Sequence, residues 1–188
     1  MTTEAHFTLF ATAIGPCAVA WGARGVLAVL LPEKSEAATR ARLLRKLPDA
    51  AEAEAPPEVR RAIDGIVALL AGEACDLSGV ALDMDAVPAF NRRVYEIART
   101  IGPGRTLSYG EIAKRLGDLG LARDVGQALG QNPFPVVVPC HRVLAAGGKL
   151  GGFSARGGTA TKLRLLEIEG ALAAEAPMLF DDLPRAVR

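Results

Sequence analysis

Three adjacent residues, Cys140, His141 and Arg142, have the clearest capacity for chemistry in this sequence. They lie in the segment VVVPCHRV, residues 136–143, and His141 is one of only two histidines in the chain. A cysteine thiolate is a nucleophile, and a nearby imidazole can remove the proton of its thiol. A free cysteine is also often a small buried hydrophobic residue, and cysteine and histidine are common metal ligands. The residue types alone therefore leave three roles open for Cys140: nucleophile, metal ligand or core residue.

The number and spacing of the cysteines argue against two kinds of structural site. The three cysteines, Cys17, Cys75 and Cys140, lie far apart, and no C-x-x-C motif is present. This spacing argues against a disulfide framework and against a structural zinc site. We therefore expect a reducing, cytoplasmic compartment and no bound metal.

The position of Cys140 favours a catalytic role. The valine run predicts a buried strand over 136–139, Pro139 restricts the backbone, and a polar His-Arg pair follows where a core position would be apolar. Neighbouring residues of an extended chain point to opposite faces, so His141 can serve Cys140 only if the chain turns or a water bridges them. Glu169, late in the last predicted helix, is the candidate partner for the other imidazole nitrogen. Such an arrangement would lower the pKa of the thiol.

The N-terminal half, residues 1–85, predicts a small α+β domain. Its predicted elements are three antiparallel strands within 7–31, a helix over 36–47, a polar loop over 49–57, a helix over 58–71 and one more strand over 79–84. Ser35 is placed to cap the first helix, and Gly72 to end the second.

The second half, residues 86–170, predicts a mostly helical domain. Its predicted elements are helices over 88–101, from 108 onward, 121–130 and 159–170, the strand over 136–139, and a loop or tight hairpin over 145–152. Ser108 and Glu111 have the spacing of a capping box. The two short helices on either side of a glycine-containing turn, 117–120, form a helix-turn-helix pattern. In the last helix an apolar stripe should face inward: Leu163, Leu166 and Ile168. Residues 171–188 read as an appended tail.

Charge is distributed unevenly along the chain. Residues 88–170 hold 12 Lys and Arg against 6 Asp and Glu, a net charge of +6, whereas residues 1–87 hold 8 against 12, a net charge of −4. This asymmetry favours a polyanionic partner for the second half only, although an ordinary spread of surface charge would look similar. No apolar run approaches the roughly 18 residues of a membrane span, and no secretory signal is recognisable.

Three segments together resemble one family. NPFPVVVPCHRV (132–143), with GRTLSYGEIA (104–113) before it and GGFSARGG (151–158) after it, is similar to the O6-alkylguanine-DNA alkyltransferases, in which Pro-Cys-His-Arg-Val surrounds the active-site cysteine. The similarity covers about residues 88–170, and the N-terminal half resembles the family only loosely. The resemblance implies a ribonuclease H-like N-terminal domain and a helix-turn-helix that binds the minor groove of double-stranded DNA. It also implies a monomer without a cofactor.

The resemblance implies a role for each residue of the reactive site. Cys140 would accept the alkyl group from a flipped-out O6-alkylguanine, or from O4-alkylthymine, in a single irreversible turnover. His141 would deprotonate Cys140 through a water and would be held by Glu169. Asn132 would brace the turn that presents Cys140.

The DNA-binding residues also follow from the resemblance. Tyr109 would contact the target phosphate and the flipped base, and Arg123 would fill the space that the base leaves. Ala122 and Gly126 would let their helix approach the narrow minor groove, about 6 Å wide, because they are small. The base pocket would be formed by Leu129, Val143, Phe153 and Ser154. By themselves, a solvated surface charge explains Arg123, a half-buried core aromatic explains Tyr109, and close helix packing explains Ala122 and Gly126, so only the resemblance favours the DNA-binding roles.

Two departures and three alternatives remain open. Many family members have tyrosine where this chain has Phe153, and the SARGG loop, residues 154–158, is longer than in the shortest members. Both differences affect the lid of the pocket. The alternatives are a lesion-binding protein of the same fold without transferase activity, a helix-turn-helix regulator and a cysteine-histidine hydrolase. The first replaces the reactive cysteine, the second needs no Cys-His pair, and the third would turn over many times.

Overall fold

A four-stranded sheet forms the base of the N-terminal half, in the order β3-β2-β1-β4. The structure is a computed structural model, and it describes residues 4–171. Three strands are antiparallel neighbours, β1 (His6–Thr12), β2 (Gly15–Gly22) and β3 (Gly25–Leu30), as the sequence predicts. The fourth, β4 (Ala51–Glu52), pairs in parallel with β1. It lies within the segment that was predicted as a loop.

Two helices cover the two faces of this sheet. Helix α1 (Glu36–Lys46) begins at Ser35, whose hydroxyl accepts a hydrogen bond from the Ala38 N–H, and helix α2 is Pro57–Leu70. Side chains alternate across a strand, so β2 contributes to both layers. Ala18 and Ala20 face the α1 side, and Cys17, Val19 and Trp21 face the α2 side.

The strand predicted over 79–84 is wrong. In the structure this segment makes one isolated parallel bridge, between Val26 and Leu82. The Val26 N–H donates to the Ala81 carbonyl, and the Asp83 N–H donates back to the Val26 carbonyl. The bridge stops there because the Asp83 carboxylate turns the chain, accepting hydrogen bonds from Arg24 and from the Asp85 N–H.

Four helices and a two-stranded ladder make up the second half. They are α3 (Ala89–Arg99), α4 (Tyr109–Leu116), α5 (Ala122–Gly130) and α6 (Thr159–Ile168), with β5 (Leu107–Ser108) parallel to β6 (Val143–Leu144). The capping box of Ser108 and Glu111 is confirmed, and Gly117, at φ +103°, ends α4 in a left-handed conformation. A short 3-10 turn, Leu119–Leu121, leads into α5.

The valine run is not a strand, contrary to the sequence prediction. Val136 has φ +74°, and the Val138 N–H donates to the Phe134 carbonyl, so the chain makes a tight turn. Pro133, Pro135 and Pro139 supply no N–H to a ladder, and this prevents a strand here. The run is apolar because its valines are packed in the core, not because it pairs in a sheet. The reactive segment follows as a 3-10 turn, Cys140–Arg142.

One core joins the two halves and supports this turn. A single cluster of buried side chains includes Val19 and Ile66 from the first half and Val94 and Leu129 from the second. The N–H of Val29, in β3, also donates to the Pro133 carbonyl at 2.8 Å. The edge of the N-terminal sheet therefore holds the start of the turn that presents Cys140.

The inward face of α6 differs from the predicted stripe. Lys162, Leu165 and Leu166 are buried, whereas Leu163 and Ile168 are only partly covered. A charged residue thus occupies a core position, and sequence periodicity does not reveal that. Of the predicted tail, Ala171 packs against Leu144 and Leu166, and residues 172–188 lie outside the described part of the chain. No helix in residues 4–171 combines the length and hydrophobicity needed to cross a membrane.

Candidate active site

Asn132 holds Cys140 in place through the turn between them. The Asn132 amide nitrogen donates to the Val138 carbonyl at 2.9 Å and to the Cys140 sulfur at 3.3 Å. Its amide oxygen accepts a hydrogen bond from the Phe134 N–H at 2.9 Å. One side chain thus links both limbs of the turn and contacts the thiol directly.

His141 and Arg142, which follow Cys140 in the reactive turn, form a buried cluster with Glu169. The Glu169 carboxylate lies 2.9 Å from the His141 Nε2 and accepts two hydrogen bonds from the Arg142 guanidinium, each at 2.8 Å. Arg142 also donates to the Ile101 carbonyl. Because a carboxylate only accepts hydrogen bonds, the His141 Nε2 carries the proton and the Nδ1 carries the lone pair. That Nδ1 is buried and has no hydrogen-bond partner within residues 4–171.

The electrostatics of this cluster give a neutral resting thiol. Burial would raise the pKa of Glu169, but the hydrogen bonds from His141 and Arg142 outweigh it and lower that pKa to about 2. Burial lowers the pKa of His141 despite its carboxylate partner. Burial also raises the pKa of the Cys140 thiol, against the opposing effects of the Asn132 hydrogen bond and the Lys162 charge. The predicted lowering of the thiol pKa is therefore wrong for the resting protein.

The thiol opens onto a cavity of about 540 Å³. One wall is α5, one is Tyr109 at the start of α4, and one is the loop that follows β6. The residues that line it are Tyr109, Ala122, Arg123, Gly126, Gln127, Leu129, Gly130, Cys140, Gly152, Phe153 and Ser154. All but one of the predicted DNA-binding and pocket residues meet here, although they span 46 positions of the chain, 109 to 154. Gln127 lines the cavity too, and the sequence offered no signal for it beyond its place on α5.

Val143 is the exception among the predicted pocket residues. Its side chain is fully buried and does not line this cavity. Its carbonyl accepts a hydrogen bond from the Lys162 ammonium at 2.6 Å. Arg142 and Lys162 are the buried charged residues of the site that sequence reasoning did not assign. Charge on a helix or beside a strand ordinarily indicates solvent exposure.

The other cavities and cysteines are less suited to a reactive thiol than Cys140 and its cavity. A larger cavity, about 640 Å³, lies behind the turn and is lined by Pro139 and Arg142, but it does not reach Cys140. Cys17 is fully buried in the core, and burial raises the pKa of its thiol to about 12. Cys75 lines the larger cavity without an imidazole beside it. Residues 4–171 hold no group of three or more His, Cys, Asp or Glu placed to bind a metal.

Sequence comparison finds relatives across most of the chain. Residues 89–171 match the model of a family described as 6-O-methylguanine DNA methyltransferase, DNA binding domain. A methylated-DNA–protein-cysteine methyltransferase of Methanothermobacter thermautotrophicus is 36% identical over 152 residues, which are 81% of this chain and 78% of that protein. A DNA base-flipping protein of Thermus thermophilus is 42% identical over 113 residues, 60% of this chain and 74% of that protein.

Comparison with solved structures finds the same family, and the similarity covers both halves of the chain. The crystal structure of Mycobacterium tuberculosis O6-methylguanine methyltransferase superposes with a TM-score of 0.71 at 34% identity, covering 93% of this chain and 96% of that one. A crystal structure of the Mycobacterium tuberculosis protein in complex with DNA gives a TM-score of 0.71 at 35% identity, with 88% and 93% covered. The similarity therefore extends to the N-terminal half, where the sequence alone shows only a loose resemblance.

Proposed function

Because this chain belongs to the methylated-DNA–protein-cysteine methyltransferase family, we propose that it repairs DNA by transferring the alkyl group of O6-alkylguanine to Cys140. One observation carries this proposal. The Cys140 thiol faces a cavity large enough for a base, the Asn132 amide contacts its sulfur, and the next residue, His141, is paired with Glu169. O4-alkylthymine is a second candidate substrate, because its alkyl group is also bonded to an exocyclic oxygen.

The thiol must lose its proton before it can react, and His141 is the base that accepts it. The lone pair on the His141 Nδ1 takes the thiol proton through a bridging water, and the Glu169 carboxylate stabilises the resulting imidazolium. The thiolate then attacks the alkyl carbon. The S–C bond forms as the C–O6 bond breaks, and the electron pair stays on the departing guanine.

Tyr109 stabilises the departing base. Burial raises the pKa of the Tyr109 hydroxyl, so the phenol remains protonated at neutral pH and can donate a hydrogen bond to guanine. The product at Cys140 is a thioether, which has no easy route of hydrolysis. Each protein molecule therefore reacts once.

The target base must leave the duplex to reach Cys140, at a cost of a few kcal/mol. We assign this task to α5 and to the turn that joins it to α4, as a helix-turn-helix that enters the minor groove. Arg123 is exposed at the start of α5 and lines the cavity, so its side chain can fill the space that the base leaves. Ala122 and Gly126 lie one turn apart on the same face, where larger side chains would hold the helix away from the groove.

The division of labour between the halves is part of the same proposal. Residues 86–170 carry the transfer site and the DNA-binding surface, and residues 1–85 form a ribonuclease H-like domain that supports the reactive turn. The protein acts in the cytoplasm as a monomer and without a cofactor. The hydrogen bond from the Val29 N–H to the Pro133 carbonyl is the direct evidence that the N-terminal domain holds the reactive turn.

A protein that flips and binds the damaged base without transfer is the second candidate, because one relative is named a DNA base-flipping protein. Cys140, with its hydrogen bond from Asn132, favours transfer over binding alone. The stoichiometry of the reaction separates the candidates. The protein is incubated with excess duplex DNA that carries a radiolabelled O6-methylguanine, and label on protein is counted. We expect a plateau at one equivalent, whereas no labelled protein would indicate lesion binding and continued release of labelled product would indicate a hydrolase.

A further inference from the structure

Lys162 is a buried cation that the mechanism above does not use. It lies on the inward face of α6 and is fully buried. Within residues 4–171 no carboxylate lies within salt-bridge distance of its ammonium group. Burying an unpaired ammonium ion costs free energy, so something else in the site must offset this cost.

The ammonium group contacts Val143 and two residues that line the cavity, Gly152 and Tyr109. It donates to the Val143 carbonyl at 2.6 Å and lies 3.5 Å from the Gly152 carbonyl. It also lies 5.7 Å from the centre of the Tyr109 ring, within the range of a cation–π interaction. These partners belong to β6, to the loop after it and to α4. The positive charge is therefore held beside the cavity by these contacts and does not extend into solvent.

This charge acts on the reacting thiol. It opposes the burial that raises the pKa of the Cys140 thiol and adds to the burial that lowers the pKa of His141, both in the 3-10 turn. The ammonium group also lies over the Tyr109 ring at the start of α4. Burial lowers the pKa of Lys162 to about 8, and Cys140 opposes that shift. At neutral pH the side chain is still mostly charged. The reaction creates a negative charge on Cys140 when the thiol loses its proton.

We propose that Lys162 is a positioning residue of the transfer site, whose buried ammonium ion is the fixed positive charge that stabilises the Cys140 thiolate. This inference rests on the proposed function, because it concerns the thiolate that the transfer requires. The backbone carbonyls and the Tyr109 ring hold the ion in place before the reaction. The thiolate then supplies the counter-charge that the resting site lacks, so the ion favours the ionised form of the nucleophile.

The test measures thiolate formation without DNA. Lys162→Gln keeps N–H donors for the carbonyls but removes the charge, and Lys162→Arg keeps the charge. Lys149→Gln, at an exposed lysine in the loop after β6, is the matched control. The rate of iodoacetamide alkylation is followed against pH, and the peptide that contains Cys140 is quantified by mass spectrometry, so that Cys17 and Cys75 do not contribute.

We expect Lys162→Gln to raise the apparent pKa of the Cys140 thiol by about one pH unit, with about tenfold slower alkylation at neutral pH. Lys162→Arg and Lys149→Gln should stay close to wild type. An unchanged pH profile in Lys162→Gln would overturn the proposal, even if that variant transfers alkyl groups slowly, because the role of Lys162 would then be structural. Since no DNA is present, the result stands whether or not the protein repairs DNA.

A second variant covers the case in which Lys162→Gln does not fold. Lys162→Met keeps the length and the apolar stem of the side chain but removes the charge, so it should slow alkylation of Cys140 about tenfold at neutral pH in the same assay. A folded Lys162→Met protein with the wild-type pH profile would contradict the proposal.

Discussion

Replacing Glu169 with glutamine should destabilise the protein strongly at neutral pH. The Glu169 side chain is 2% exposed, and its two oxygens contact both His141 and Arg142. Glutamine has nearly the same shape, but it turns an N–H₂ group toward one of these donors. Arg142, which is itself 5% exposed, would lose the counter-charge of its guanidinium. Removing one partner of a buried ion pair typically costs about 3–5 kcal/mol.

The pKa of Glu169 gives an independent magnitude and a pH dependence. The interactions in the folded state lower this pKa from its ordinary value of 4.5 to about 2. At 1.36 kcal/mol per unit, this difference corresponds to roughly 3 kcal/mol of stability from the ionised carboxylate. A lowered pKa contributes stability that is fully present above the unfolded value, near pH 4.5, and is lost as the pH falls toward 2. The free energies of unfolding of wild type and Glu169→Gln should therefore become similar at low pH.

Urea unfolding of Glu169→Gln and wild type, at neutral pH and at several values below pH 4.5, measures both effects. Glu167→Gln is the matched control, because Glu167 is exposed and lies two residues earlier. Its free energy of unfolding should stay within about 0.5 kcal/mol of wild type. Equal stability of Glu169→Gln and wild type at neutral pH would refute the reasoning, and so would a difference that does not shrink in acid.

Three further predictions concern DNA. Arg123→Ala should slow repair of duplex DNA far more than reaction with free O6-benzylguanine, because a free base needs no extrusion, and equal slowing on both would show that Arg123 shapes the pocket rather than aiding extrusion. Gly151→Ala should lower the transfer rate on both substrates, since Gly151 has φ +67° and an added methyl group would lie 3.1 Å from the Tyr109 hydroxyl; a wild-type rate would show that the loop adapts. Binding to undamaged duplex should weaken with a slope of about −3 to −5 in log K against log salt, from roughly three to six phosphate contacts by residues 88–170. A slope near zero would show that the charge asymmetry is incidental.

Local signals in the sequence predicted most helices and their ends. Ser35 and the Ser108–Glu111 capping box mark helix starts because the residues that satisfy the first N–H groups are local. The meander over 7–31 was equally readable, since turn residues separate its strands. The two-residue strand β4 was missed, because its pairing with β1 depends on a partner more than 40 positions away in sequence.

The reactive turn and the buried charges could not be predicted in the same way. A short apolar run indicates burial but does not distinguish a strand from a packed turn, and only the three surrounding prolines argued against the strand. The partnership of His141 with Glu169 was found from the resemblance and from the position of Glu169 late in a helix. The burial of Arg142 and Lys162 depends on tertiary packing of α6 against the reactive turn, which local sequence does not encode.

The identity of the alkylated atom tests the central claim most directly. After reaction with duplex DNA that contains O6-methylguanine, the protein is digested and the methyl group is located by mass spectrometry. We predict that it resides on Cys140 alone, and that Cys140→Ser binds the same DNA but gains no methyl group, because a serine hydroxyl is a far weaker nucleophile at neutral pH. A methyl group on Cys17 or Cys75, or methylation of the Cys140→Ser variant, would contradict the assignment of Cys140 as the acceptor.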